Sequence, residues 1–575
     1  MQIQRTQIGY LVGGGLKENF RVRLTVSPQD IQEGAFVVIQ SGQWNYYGIV
    51  TDINLGATDP RFADEQTEVR FPAHIAKALH GQTLYANLEV LPNLMLEVGP
   101  ELGTPEYKDW QGKIDAGLKD APRILPVKNI PPHHAVVSLA NEGDIAEIFG
   151  KDEKGFFEIG KTREQGHPVR INLNKLVQRS SGIFGATGSG KSFLARVVLA
   201  GLITQTDVSM LVFDMHNEYG YTYNPPEGGN AVPGLKDKLE SKVKIVGLGR
   251  GKDAMYQGMP PNINLEIAMS DIQTGDIEIL SRELNLRETT STTLAALFSK
   301  FRENWFHEFM ELESMSKQKD EDGNSYYPDG SLEGWAESAG IHSEAAKGLH
   351  SRLSKRVKEL PYIVEKPASD GVSQIVDALQ NGLSVILSFG SHDKDLDYLL
   401  VSNILTRRIR KVWEDRTNEY HRTKDAAVLP RPLVIVIEEA HKLLNREMAS
   451  QTTFSTIARE LRKYYVTLLI IDQRPSQIYD EVLSQLGTRI SGWLGDDDDI
   501  QSVLSGLSGR DALKGILARL QAGKEILLLG PWGVPMPIPV TTQVYNDEFW
   551  KKLKAGKKEK RPSKEINDEL GFLNQ

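Results

Sequence analysis

The stretch SGIFGATGSGKSF, Ser181 to Phe193, constrains this chain more than any other. Gly185, Gly190, Lys191 and Ser192 satisfy G-x-x-x-x-G-K-[ST], the pattern of a phosphate-binding loop. Glycines let the backbone curl so that the N–H groups of Gly185, Ala186, Thr187, Gly188, Ser189 and Gly190 point at phosphate oxygens. Lys191 then reaches the β/γ-phosphates and Ser192 holds Mg²⁺. Such a loop needs a strand before it and a helix after it. SGIF is short and apolar, and Phe193, Leu194, Val197, Val198, Gly201 and Leu202 recur at helical spacing. ATP with Mg²⁺ is the expected ligand.

The rest of the chain supplies a sheet for that loop. Apolar runs at Ser209–Asp214, Val243–Gly247, Leu383–Phe389, Leu433–Ile437, Val466–Asp472 and Glu525–Leu529 alternate with helical patterns, which predicts an α/β, mostly parallel sheet. Between about 265 and 380 these strands stop, and amphipathic charged segments predict an inserted helical subdomain with an exposed loop at SKQKDEDGNSYYPDGS. The first 165 residues read as a small β-barrel: Phe20, Val22, Leu24 and Val26 alternate with Arg21, Arg23 and Thr25, and further short runs are separated by Gly, Pro, Asn and Asp. The expected division is thus a barrel over 1–165, an ATPase domain over 166–545 and a lysine-rich tail over 546–575.

Bulk properties narrow the function by exclusion. A chain of 575 residues with 40% hydrophobic and 25% charged residues has material for two or three cores. Without cysteine there is no disulfide, thiolate metal site or cysteine nucleophile. No run approaches the length of a membrane span and the N-terminus lacks an apolar signal core, so a cytoplasmic, non-membrane protein is expected. The His307 stretch lacks the second histidine of a zinc motif, and Asp320–Asp329 lacks the pattern of a calcium loop. A net charge of −9 argues against an all-over basic coat but leaves room for positive charge confined to a narrow channel.

Hydrolysis needs a carboxylate on the metal and another to orient water. LVIVIEEAHKLL delivers Glu438 and Glu439 at the end of an apolar strand; the first suits the Mg²⁺ shell, the second the attacking water. Gln473, directly after LLIID, is placed to sense the γ-phosphate, and Arg462 precedes that strand, where it can serve a neighbouring subunit's site; Arg459 and Arg474 compete for this role. Asp214, His216 and Glu218 in VFDMHNEYG fall near the phosphates or form a turn that satisfies itself, and both readings stand. Arg250 and Lys252, among glycines, suggest a mobile basic loop, with a plain surface loop as the alternative.

In this order the motifs resemble the HerA family of hexameric DNA translocases, relatives of FtsK-type motors. The resemblance rests on GATGSGKS, FDMHNEYG, IVIEEAHKLL and ARELRKYYVTLLIIDQRPSQI, and extends to the barrel and to the closing LLLGPWGVPMPIPVTTQV. It implies a RecA-like core in which Lys191 and Ser192 bind phosphate and Mg²⁺, Glu438 joins the metal shell, Glu439 is the catalytic glutamate, Arg462 a trans-acting arginine finger and Gln473 the sensor. It also implies a homo-hexameric ring around double-stranded DNA, with a NurA-like nuclease or an antiviral effector, nuclease or sirtuin-type, docked at the barrel end. Two positions depart from the family pattern: Glu438 stands for the usual aspartate, and ELRKYY for EGRKxG. Two other readings stay open, a nucleotide-stabilised hexameric scaffold that activates an effector, and a secretion-type ATPase.

Overall fold

The computed structural model describes residues 5–58, 84–100, 103–120, 122–222, 231–319, 324–392, 394–448 and 461–555. Its first unit is a closed barrel. Gln7–Gly15, Glu18–Leu24, Phe36–Ser41, Trp44–Ala57, Leu84–Glu97 and Val136–Leu139 pair antiparallel, and the contact of Glu18–Leu24 with Leu84–Glu97 completes the ring. The period-2 pattern sets the faces: Phe20 and Val22 are buried with Val37, Val50, Leu88 and Val137, while Arg21 points outward. Closure removes the free edges that an open six-stranded sheet would expose.

The second unit is built on a twelve-stranded sheet. In spatial order its parallel part runs Ile263–Leu265, Val243–Leu248, Ser384–Ser388, Ser209–Asp214, Leu433–Glu438, Val466–Asp472, Ser181–Phe184 and Thr488–Ser491. Antiparallel strands Glu525–Leu529, Ile538–Thr542, Phe156–Lys161 and Pro168–Asn172 extend it. The central strands are buried at every position, as strands covered on both faces must be. Their parallel register brings Phe184 beside Asp472, Glu438 beside Ile471 and Asp214 beside Ser388, so the carboxyl ends converge on one edge.

Three features go beyond the sequence expectation. Phe156–Lys161 precedes residue 165 yet belongs to the large sheet, because Phe157 packs on the helix Lys191–Gln205; a Cβ at Gly201 would lie 3.0 Å from its ring. The region 265–380 is not purely helical: Ile267–Ala268 pairs with Ile363–Val364, and Gln318–Lys319 with Ser325–Tyr326 in an exposed hairpin. The start of the lysine-rich stretch, Asp547–Ala555, is a helix that buries Phe549, Trp550 and Leu553 in the main core, since their spacing places them on one face.

The two units meet at a polar joint. Arg163 donates to the Glu33 carbonyl of the barrel at 3.1 Å and to Glu525 of the large sheet at 2.7 Å, and Arg519 donates to the Glu33 carboxylate at 2.7 Å. Glu164 lies in the same turn, with Oε1 buried and unpartnered among the described residues. Burial raises its pKa to about 7, more than its own backbone N–H and Arg163 lower it. A carboxyl with a raised native pKa binds a proton that the unfolded chain releases near its ordinary value, so its contribution to stability is intact below about pH 4 and lost as pH rises through about 7. Glu164→Gln should therefore melt at a temperature that gains on the wild type between about pH 5 and 7.5 and then runs parallel to it; parallel curves over the whole range would contradict the burial of this carboxyl.

Candidate active site

The loop after Ser181–Phe184 turns back on itself before the helix begins. Gly188 and Gly190 have φ of 77° and 82°, and Gly190 passes so close to Gly523 that an added Cβ would sit 3.2 Å from its Cα. Backbone bonds anchor the loop to its neighbours: Ala186 N–H to the Trp493 carbonyl at 3.0 Å, and Gly523 N–H to the Ser189 carbonyl at 3.1 Å. Lys191 opens the helix, so its first N–H groups and the helix dipole face the site.

Glu438 and Glu439 reach the same cavity only because the chain stops being a strand between them. Successive strand side chains point to opposite faces, and Glu439 breaks the alternation with φ 47°, a left-handed conformation that a non-glycine residue adopts at a cost. Glu439 then accepts from Lys191 Nζ at 3.4 Å and from Gln473 Nε2 at 3.2 Å, while Thr187 Oγ1 donates to Gln473 Oε1 at 2.9 Å. One hydrogen-bonded group thus joins the phosphate loop, the acid turn and the tip of the adjacent strand. Asp472, fully buried, fixes this turn by accepting from the His441 N–H at 2.7 Å and meeting the His441 ring at 3.0 Å. Burial lowers the ring's pKa, but the Asp472 hydrogen bond and charge, with Glu439, outweigh it and raise the histidine above its ordinary value.

Glu438 is 2% exposed. Burial, Asp214 and Glu218 push its pKa well up, against the Tyr219 hydrogen bond and Lys191. Tyr219 OH donates to its Oε1 at 2.8 Å and Tyr398 OH to its main-chain carbonyl at 2.6 Å, whereas Oε2 is buried and has no partner among the described residues. With the Ser192 hydroxyl in the same cavity, this oxygen fits a hard divalent cation such as Mg²⁺, which takes one or two protein oxygens and completes its shell with phosphate and water.

The cavity is about 740 Å³. One half is polar, between the phosphate loop, His216, Glu218, Glu438, Glu439 and Gln473; the other is walled by Phe193, Ile159, Ile526, Val544 and Tyr545. Phe193 is 47% and Val544 70% exposed, large apolar surfaces at the rim. The segment holding Val544 is tied down by Gln543, whose N–H donates to the Ile159 carbonyl at 3.1 Å, and by Tyr545 OH, which donates to the Pro233 carbonyl at 2.9 Å.

VFDMHNEYG satisfies both of its readings, with different residues. Asp214 organises the turn, accepting from the N–H groups of Glu218 and Tyr219 at 2.8 and 3.0 Å, while His216 and Glu218 line the cavity. Arg462 is not with the other site residues. It stands at the opposite end of Val466–Asp472 from Gln473, about 20 Å along the strand. There its guanidinium lies 5.4 Å from the Trp532 ring, on which Arg179 also stacks at 4.4 Å. Arg459 lies outside the described residues, and Arg474 is exposed at the phosphate edge. Arg250 is ion-paired with Glu266 at 2.6 Å, and Lys252 is exposed. Sequence reasoning passed over Tyr219, Tyr398, Arg179 and the apolar wall, because a buried hydroxyl or a wall has no local signature; each depends on a partner distant in the chain.

Comparison with known proteins finds relatives along nearly the whole chain. The family model described as the central domain of helicase HerA matches residues 157–409, from the first strand of the large sheet into the long helix before the acid strand. The chain is 25% identical to the DNA double-strand break repair helicase HerA of Sulfurisphaera tokodaii over 99% of both chains, and 24% identical to that of Sulfolobus acidocaldarius over 95% of this chain and 94% of the relative. A solved structure, VirB4 of Thermoanaerobacter pseudethanolicus, aligns with 70% of this chain and 99% of its own at 17% identity, with a TM-score of 0.43. No helix among the described residues is long and apolar enough to cross a membrane. The chain is thus similar to HerA helicases from end to end, and the model of their central domain spans its phosphate loop.

Proposed function

We propose that this chain is the ATP-hydrolysing motor of a cytoplasmic homo-hexameric ring that moves double-stranded DNA. The observation that carries the reading is the division of the site's residues between two edges of one sheet: Lys191, Ser192, Glu438, Glu439 and Gln473 gather at the carboxyl edge, and Arg462 waits at the other. An arginine about 20 Å from its own phosphate loop can act only on a neighbour's nucleotide, and a ring gives every subunit one such neighbour. Arg179, on the same Trp532 ring, places a second guanidinium at that edge.

In the proposed cycle the polar half of the cavity takes the triphosphate and the apolar half the base and ribose. Lys191 holds the β/γ-phosphates, Glu439 orients water and takes its proton, and Gln473, hydrogen-bonded to both Glu439 and Thr187, reports the γ-phosphate. A bound Mg²⁺, held by Ser192 and Glu438, supplies neutralisation of the charge spread over the transferring phosphoryl group. Arg462 of the neighbour adds to that stabilisation, an effect of roughly 10³–10⁵ in rate where arginine fingers operate. In this reading the barrel end docks an effector, a NurA-like nuclease or an antiviral nuclease or sirtuin-type enzyme. DNA end processing and antiviral defence are the settings that such a pairing serves.

The ATPase rate should rise on adding double-stranded DNA and the increment should fade as salt increases, since contacts to phosphates release counterions. A rate indifferent to DNA at every salt concentration would shift the reading to a nucleotide-stabilised scaffold. Glu439→Gln should bind ATP in an assembled ring and turn over at less than about a hundredth of the wild-type rate; normal turnover would remove Glu439 from the catalytic role. Arg462→Ala and Glu439→Gln should each be inactive alone, whereas mixed rings of the two recover part of the rate, because an intact acid in one subunit meets an intact arginine in the next. Failure to recover in demonstrably mixed rings would place Arg462 outside the chemistry.

A further inference from the structure

Within VFDMHNEYG the side chain of Tyr219 has no part in the cycle just described, yet it is fully buried and points at the metal-facing acid. We propose that Tyr219 is a positioning residue for Glu438: its hydroxyl holds Oε1 so that Oε2 is presented to the divalent cation. The inference rests on the nucleotide-hydrolysis reading and deepens it by naming the group that sets the metal ligand's geometry.

A glutamate carries one more methylene, and one more rotatable bond, than an aspartate at the same position. Left to itself such a carboxylate would sample several rotamers at the strand end. The Tyr219 hydroxyl, 2.8 Å from Oε1, removes that freedom and leaves Oε2 buried without a partner among the described residues. Tyr219 is itself held at both ends. Its N–H donates to Asp214 Oδ2 at 3.0 Å, and the same oxygen accepts from Tyr256 OH at 2.6 Å, which in turn accepts from the Gly220 N–H at 2.7 Å. Arg196 braces the turn from its other side, donating to the Glu218 carbonyl at 2.6 and 3.0 Å with its guanidinium 5.8 Å from the Tyr219 ring.

Tyr219 therefore stands between two buried carboxylates and donates to each, with its N–H to Asp214 and its hydroxyl to Glu438. A phenylalanine would fill the same space and serve only one of them. The chain of bonds continues outward: Tyr256 follows the exposed Lys252 by four residues, and the next residue, Gln257, donates to the Asn217 carbonyl at 2.9 Å. Hydrogen bonds thus link Glu438, Tyr219, Asp214 and Tyr256 from the Glu438 Oε1, beside the metal-facing oxygen, to the base of the Gly249–Gly258 segment. Tyr256 is the second link, acting on Glu438 through Asp214 and Tyr219.

The test uses the full chain loaded with a non-hydrolysable ATP analogue, and Mn²⁺ as a paramagnetic stand-in for Mg²⁺. Tyr219→Phe should weaken Mn²⁺ binding about tenfold and Tyr256→Phe by a smaller factor, because partners behind a metal ligand typically govern affinity by about 10–100-fold. Analogue affinity measured without metal should stay within about twofold of wild type, and thermal melts should show both variants folded. In a Glu438→Gln background, adding Tyr219→Phe should change Mn²⁺ affinity by less than about twofold, since a residue that acts through Glu438 has nothing left to position. Wild-type Mn²⁺ binding in Tyr219→Phe, or an undiminished tenfold loss in the Glu438→Gln background, would overturn the proposal while leaving the nucleotide site intact. Glu438→Gln binding Mn²⁺ like wild type would remove the metal ligand on which it stands. Analogue binding that is absent, or indifferent to Lys191→Ala, would instead bring down the nucleotide reading. Should Tyr219→Phe not fold, Tyr256→Phe carries the same comparison.

Discussion

A carboxylate buried in the middle of a sheet has to be held, and the arrangement around Glu438 follows from that requirement. The strand Leu433–Glu438 is apolar up to its last residue, so the chain delivers Glu438 into surroundings that disfavour its charge. A hydrogen bond to a charged group contributes about 1.5–3 kcal/mol net, and a buried acceptor stripped of its donor loses a comparable amount. Tyr219 and Tyr398 meet this need from two distant segments, one at the carboxylate and one at the main-chain carbonyl. Once they are in place the next residue must turn, and the left-handed Glu439 brings the second acid to Lys191 and Gln473.

The parallel sheet then separates two kinds of chemistry. At its carboxyl edge, strand ends, helix N-terminus and loop N–H groups concentrate positive potential and oxygen ligands around one cavity. At its other edge Arg179 and Arg462 share the face of Trp532, where like charges tolerate proximity because the aromatic ring attracts both. Burial and Arg179 lower the pKa of Arg462. A single subunit cannot bring its own two edges together.

The boundary between barrel and ATPase core is a shared structure. Glu33 of the barrel receives Arg163 and Arg519 of the core, and Arg163 passes on to Glu525, which also lines the nucleotide cavity. The helix Asp547–Ala555 packs Phe549 against Phe157 and helps hold the segment Gln543–Tyr545 over the apolar half of that cavity. Elements far apart in the chain, Phe156–Lys161 and Thr542–Tyr545, thus build one wall of the site.

Local chemistry was enough to read the loop Gly185–Ser192, the acid pair, Gln473 and the alternation of strands with helices, because each depends on residue type and short spacing. Fold class followed from the same periodicities, and the barrel from closely spaced half-buried strands. What the tertiary structure decided was which side chains meet. Tyr219 lies in a stretch whose polar residues drew attention, but its role depends on Glu438, which comes 219 residues later. Phe156–Lys161 reads as a barrel strand until Ile538–Thr542 is seen beside it, and Phe549 and Trp550 read as part of a basic tail until the core they complete exists. The sequence by itself determined the chemical groups and the local geometry that presents them, since these arise from bonds and contacts within a few residues. Their pairing across the sheet was decided only when long-range burial placed each polar group where another had to satisfy it.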